Sequence, residues 1–129
     1  MTEQKLLDYL LAQLPVWKER LGLQYWETDL HIERRDEMDG NQGQCTYNGV
    51  VLYADIRILS PIDWKEYHSR DTSEATLVHE LIHLLFWQLC PEKDTPEFVI
   101  LEQGITRLER ALMAGWNKRK SHIRIEATV

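Results

Sequence analysis

Three residues at fixed spacing carry the chemistry in this sequence: His79, Glu80 and His83, in the order His-Glu-x-x-His. Residues i and i+4 share one face of a helix, about 5–6 Å apart between Cβ atoms. Two imidazoles at that spacing reach one metal ion. Glu80 follows His79 directly and projects to the side of the pair. From there its carboxylate reaches the water that a zinc ion activates, without being a ligand itself. Zinc lowers the pKa of that water, and the carboxylate takes its proton.

A helix must hold these residues, and the flanking sequence predicts one over residues 72–89. No Gly or Pro lies between Asp71 and Cys90. Asp71-Thr72-Ser73-Glu74 reads as a capping box, with Asp71 as the cap and Glu74 reaching back. Cys90-Pro91 closes the segment. From Leu77 to Leu89 the residues are apolar nearly all round, which marks a buried central helix. His79, Glu80, His83 and Gln88 are the polar exceptions. Buried ionisable groups are costly without partners, and a metal is a sufficient partner.

A catalytic zinc site takes three protein ligands and keeps one position open, so a third ligand must come from elsewhere. The metzincin continuation requires Gly three residues after His83 and His six after. Phe86 and Leu89 stand there instead. The reversed order His-x-x-Glu-His is also absent. A carboxylate on the next helix remains. That helix is predicted over residues 96–114, with Thr95 as cap, Pro96 at its first position and Gly115 as its stop. Leu101, Ile105, Leu108 and Leu112 form its apolar stripe. Glu97, Glu102 and Glu109 are the candidates. Glu102 is preferred, because it lies beside Ile105 and four residues after Phe98, at the flank of the stripe. Glu97 sits in the first turn, where an acid serves the helix dipole. Glu109 adjoins Arg110 in a charge-rich segment.

The rest of the chain reads as an α+β domain. Leu6, Leu7, Leu10, Leu11 and Leu14 form a helical stripe within a helix over 2–21, broken at Pro15 and stopped by Gly22. Residues 26–59 read as a sheet: a strand over 26–35, a polar loop over 36–43, a short strand over 44–47, and a strand over 50–59. Asn48-Gly49 is a hairpin signal between the last two. Residues 61–69 read as a short helix and 115–129 as a tail. The expected fold is a small antiparallel or mixed sheet packed on the two metal-site helices, in one domain spanning residues 1–129.

Composition narrows the function classes. The chain has 129 residues, 43% hydrophobic and 28% charged, with a formal net charge of −6, which argues against nucleic-acid binding and against an anionic membrane surface. No stretch approaches the length of a transmembrane helix, and the N-terminus carries no signal-peptide pattern. Cys45 and Cys90 form no C-x-x-C pair and read as free thiols. A cytoplasmic protein is expected.

On these residues, His79, Glu80 and His83 followed by Glu102 at 19 positions beyond His83, the chain resembles the gluzincins. These are zinc peptidases whose third ligand is a Glu on the helix after His-Glu-x-x-His. The order of elements is similar to the compact minigluzincins and to small His-Glu-x-x-His proteins of bacteria and phages. The resemblance covers residues 28–114. It implies a zincin-like fold, Zn²⁺ held by His79, His83 and Glu102, Glu80 as general base, and a peptide or protein substrate. It also implies that residues 54–59 form the strand at the cleft rim, whose edge pairs with the peptide. Larger gluzincins carry a substrate-positioning His or Tyr, for which Tyr47, Tyr53, Tyr67, His68 and His122 are the candidates here. The expected function is a zinc-dependent metallopeptidase. The alternative is a zinc-bearing module that binds a peptide or partner without cutting it.

Overall fold

Thr2 opens the first helix, its hydroxyl accepting a hydrogen bond from the Lys5 backbone N–H at 3.1 Å. That satisfies one of the donors a helix start leaves open. In the computed structural model, which describes residues 1–128 and the side chains of residues 1–117, this helix, α1, runs Glu3–Arg20 with Pro15 inside it. The expected break at Pro15 does not occur. Proline removes one backbone bond and crowds the preceding turn. Leu6, Leu10, Leu14 and Trp17 lie on either side of it on one face, all buried, and their packing carries the helix through. Gly22 then takes a φ of 73°, the left-handed conformation that suits a helix stop.

Three strands follow: β1 (Glu27–Glu33), β2 (Gly43–Asn48) and β3 (Tyr53–Leu59). They form a mixed sheet in the order β1-β3-β2, with β1 parallel and β2 antiparallel to β3. Leu30, Ala54, Ile56 and Ile58 are buried on one face, as the period-2 pleat requires. α1 packs on β1, and the next helix packs on β2 and β3. The opposite face is polar. There the Tyr53 hydroxyl donates to Asp29 at 2.6 Å, and His31 Nε2 lies 3.2 Å from Asp55 Oδ1.

Two expectations about the sheet change. Residues 54–59 are not a rim strand, because β3 is central and both its edges are taken by β1 and β2. The edges belong to β1 and β2. The hairpin also differs: β2 and β3 are joined by residues 49–52, with Asn48 Oδ1 accepting from the Val50 N–H at 3.0 Å. Leu52, not Gly49, takes the positive φ, 55°. Gly49 serves a close approach instead, since a Cβ there would lie 2.5 Å from the Trp87 ring.

The second helix, α2, spans Arg70–Leu85. Its cap is Ser69 rather than Asp71. Ser69 Oγ accepts from the Thr72 N–H at 3.3 Å and Thr72 Oγ1 accepts from the Ser69 N–H at 2.8 Å, a reciprocal capping box. Glu74, expected to reach back to the cap, is fully buried and accepts hydrogen bonds from Trp17 Nε1 (2.7 Å) and the Tyr9 hydroxyl. It lies on the α2 face turned towards α1, so tertiary contacts claim it. The helix stops before residue 89; a separate 3₁₀ turn covers Trp87–Leu89. The expected helix over 61–69 is a single 3₁₀ turn, Pro61–Asp63.

The chain divides into two compact units, Met1–Cys90 and Pro91–Val129. The helix of the second unit, α3, spans Pro96–Thr128. Thr95 starts it, its hydroxyl accepting from the Phe98 N–H at 3.2 Å. α3 runs past Gly115, and the expected tail is helical as far as Thr128. A helix-interior glycine costs only about 1 kcal/mol relative to alanine, and Gly115 is not among the residues with positive φ. Ile105 and Met113 are buried while Leu108 is exposed, so the apolar face is rotated from the expected stripe. Among the described residues, no helix is long and apolar enough to cross a membrane.

Candidate metal centre

Thr76, Glu80, His83 and Trp87 are spaced 4-3-4 along the chain, which is one stripe of a helical surface. The facing row of β2 is Gly43, Cys45 and Tyr47, every second residue of an extended chain, and Gly49 follows in the turn that leaves the strand. The two rows meet at both ends. A Cβ added at Gly43 would collide with Thr76 Cγ2 and stand 3.4 Å from Glu80 Cγ and Oε1, while Gly49 lies against Trp87. The backbone of β2 therefore runs directly beside Glu80, which is 8% exposed.

His79 and His83 are half-buried one turn apart on α2. Their ring centroids are 5.2 Å apart with the planes inclined at 60°. His79, His83 and Glu102 of α3 each offer one ligand atom, and these atoms lie within 4.8 Å of one another. Ligand atoms sharing one ion at about 2.0–2.2 Å stand roughly 3–4 Å apart, so this group could hold a metal ion after small side-chain adjustments. Glu97 is exposed and Glu109 half-buried; neither belongs to the group. Two imidazoles and one carboxylate are a donor set that zinc accepts, and three protein ligands leave a coordination position open.

The surroundings of Glu80 are electrostatically distinctive. Cys45 is on the β2 row facing it. Burial, with the negative charges of Glu80 and Asp55 adding to it, pushes the Cys45 thiol up to about 12. Cys45 is therefore a neutral thiol across the ordinary pH range. Tyr47, two residues on, is also raised, first by burial and then by its neighbour Cys90. It meets Trp26 edge-on at 6.4 Å between ring centroids.

The five helper candidates separate by position. Tyr47 stands on the β2 row facing α2. Tyr53 lies on the opposite face of the sheet and is bonded to Asp29. Tyr67 is 63% exposed and rests on His68 at 4.3 Å. His68 Nδ1 accepts from the Lys65 N–H at 2.9 Å, and its ring lines a cavity of about 10 Å³ beside Thr72, Ser73 and Thr76. Burial and the cations of Arg35 and Lys65 lower its pKa. The side chain of His122 lies outside the described residues.

Three residues near the site carry no sequence signal that would have singled them out. Gly43 and Cys45 matter through their register against α2, and Glu74 through its contact with α1. Comparison with known protein families finds no family model that matches the chain, and comparison with curated proteins finds no match.

Proposed function

We propose that this chain is a zinc-dependent metallopeptidase. The observation that carries the reading is the group formed by His79, His83 and Glu102, whose ligand atoms lie within 4.8 Å of one another, with the carboxylate of Glu80 on the same helix. Bound there, Zn²⁺ would supply Lewis acidity and a lowered pKa for the attacking water. His79 and His83 hold their rings on one face of α2, and Glu102 adds the carboxylate from α3. Glu80 takes the proton of the water and delivers it to the leaving amine. Its burial keeps competing water away from that carboxylate and strengthens its electrostatic effect.

The substrate of this reading is an extended peptide. β2 pairs with β3 on one side only among the described residues, and it is the strand that runs beside Glu80. A peptide adding to the other side of β2 would gain main-chain hydrogen bonds. This role falls to residues 43–48 rather than to 54–59.

The test compares the zinc-loaded parent, the chelated protein and Glu80→Gln on a peptide library. The expected result is chelator-sensitive cleavage by the parent, with Glu80→Gln binding one zinc per chain and cleaving about 10²–10⁴-fold more slowly. Equal cleavage by Glu80→Gln would refute the assignment of the base. A second reading, a zinc-bearing module that binds without cutting, is favoured by the engagement of Tyr53 and His68 elsewhere. Stoichiometric zinc without chelator-sensitive cleavage would support it, and absence of zinc binding would remove both.

A further inference from the structure

We propose that Gly43 is a positioning residue for Glu80. This deepens the peptidase reading and rests on it for its functional consequence. Gly43 opens β2 and is not among the glycines with positive φ, so backbone conformation does not explain a glycine there. Close approach does. A Cβ at this position would collide with the Thr76 methyl and stand 3.4 Å from both Glu80 Cγ and Glu80 Oε1. Thr76 cannot simply swing aside, because its hydroxyl donates to the Thr72 carbonyl at 3.0 Å. β2 is in turn held by β3, with Gly43 registered opposite Ile58, itself 1% exposed. Both walls around Gly43 are therefore anchored. The missing side chain lets the β2 backbone limit the rotamers of Glu80. An alanine at 43 must displace Thr76 or lift β2 from α2, and either movement alters the wall against which the Glu80 carboxylate rests. His79 and His83 are not among the atoms such a Cβ meets most closely.

The test follows the Glu80 carboxyl carbon by NMR in ¹³C-labelled protein, the signal being identified by its loss in Glu80→Gln. This readout needs neither metal nor turnover. Gly43→Ala is expected to displace the signal. Gly43→Ala/Thr76→Ser, which removes the offending methyl and keeps the hydroxyl, is expected to bring it only part of the way back, because the added Cβ still stands 3.4 Å from Glu80 Cγ and Oε1. If Gly43→Ala alone does not fold, the double variant is compared with Thr76→Ser, and a displaced Glu80 signal is again expected. An unmoved signal in these folded variants overturns the proposal. In the zinc-loaded enzyme, Gly43→Ala should keep zinc affinity within about threefold while kcat falls roughly 10–100-fold, the scale expected for a displacement of about 1 Å. In the Glu80→Gln background the same substitution should lower residual turnover no further; an additional loss there would show that Gly43 does not act through Glu80. A parent that binds zinc but never cleaves would refute the peptidase reading and leave the NMR result to decide the role of Gly43.

Discussion

Tyr9→Phe probes the joint that fixes α2 to the rest of its unit. The Tyr9 hydroxyl donates to Glu74, a side chain with no solvent exposure, and Trp17 Nε1 donates to the same carboxylate at 2.7 Å. The substitution removes one hydroxyl and keeps the ring, which also carries the Arg70 guanidinium at 4.3 Å. A hydrogen bond to an ionised group contributes about 1.5–3 kcal/mol. Tyr9 is itself half-buried, so a loss of about 2 kcal/mol is expected, or roughly 8 °C in Tm for a chain of this size. The bond also sets a pH dependence. Burial, and then the Glu74 hydrogen bond, raise the Tyr9 pKa above its ordinary value. A raised folded pKa contributes stability that is present in full below the unfolded value, about 10 for tyrosine, and is lost as pH rises beyond it. The gap between parent and Tyr9→Phe should therefore be constant from pH 7 to 9 and shrink above pH 10. Urea unfolding followed by tryptophan fluorescence at each pH measures it. Equal stability of the two proteins at pH 7, or a gap that persists unchanged to pH 11.5, would refute the reasoning.

Two further outcomes follow from the β2–α2 contact. Gly49→Ala puts a Cβ 2.5 Å from the Trp87 ring and should destabilise by about 1–3 kcal/mol. Adding Trp87→Ala should remove most of the penalty that the alanine adds, and a penalty of the same size in both backgrounds in urea titrations would disprove the contact. Cys45, with its thiol pushed up to about 12, is deprotonated in about one chain in ten thousand at pH 8. Iodoacetamide should modify it far more slowly in the native protein than in urea, as read by mass spectrometry of the peptides. Equal rates in the two states would show that Cys45 is not shielded as described.

The sequence by itself determined the local terms. His79, Glu80 and His83 needed only a helix to share a face, and an apolar run without Gly or Pro supplies one. Thr95-Pro96 placed the start of the next helix because a cap and a fixed φ act within a few residues. The alternation over 54–58 marked a strand with one buried face. These signals are short-range, so a linear reading contains them. Tertiary structure decided what depends on neighbours distant in sequence. β3 became the central strand because β1 and β2 both pair with it, and no feature of residues 53–59 distinguishes a central strand from an edge. Glu74 left the cap it was expected to serve because Tyr9 and Trp17 offered it donors in a buried site, and Ser69 took its place. Pro15 stayed within α1 because packing on both sides outweighed the lost bond. Gly43 and Gly49 looked like turn residues, yet their close approach to Glu80 and Trp87 exists only once β2 lies on α2. The His79-Glu80-x-x-His83 motif was legible because its spacing is a property of one helix; the wall beside it was not, because it is made by a strand more than thirty residues away.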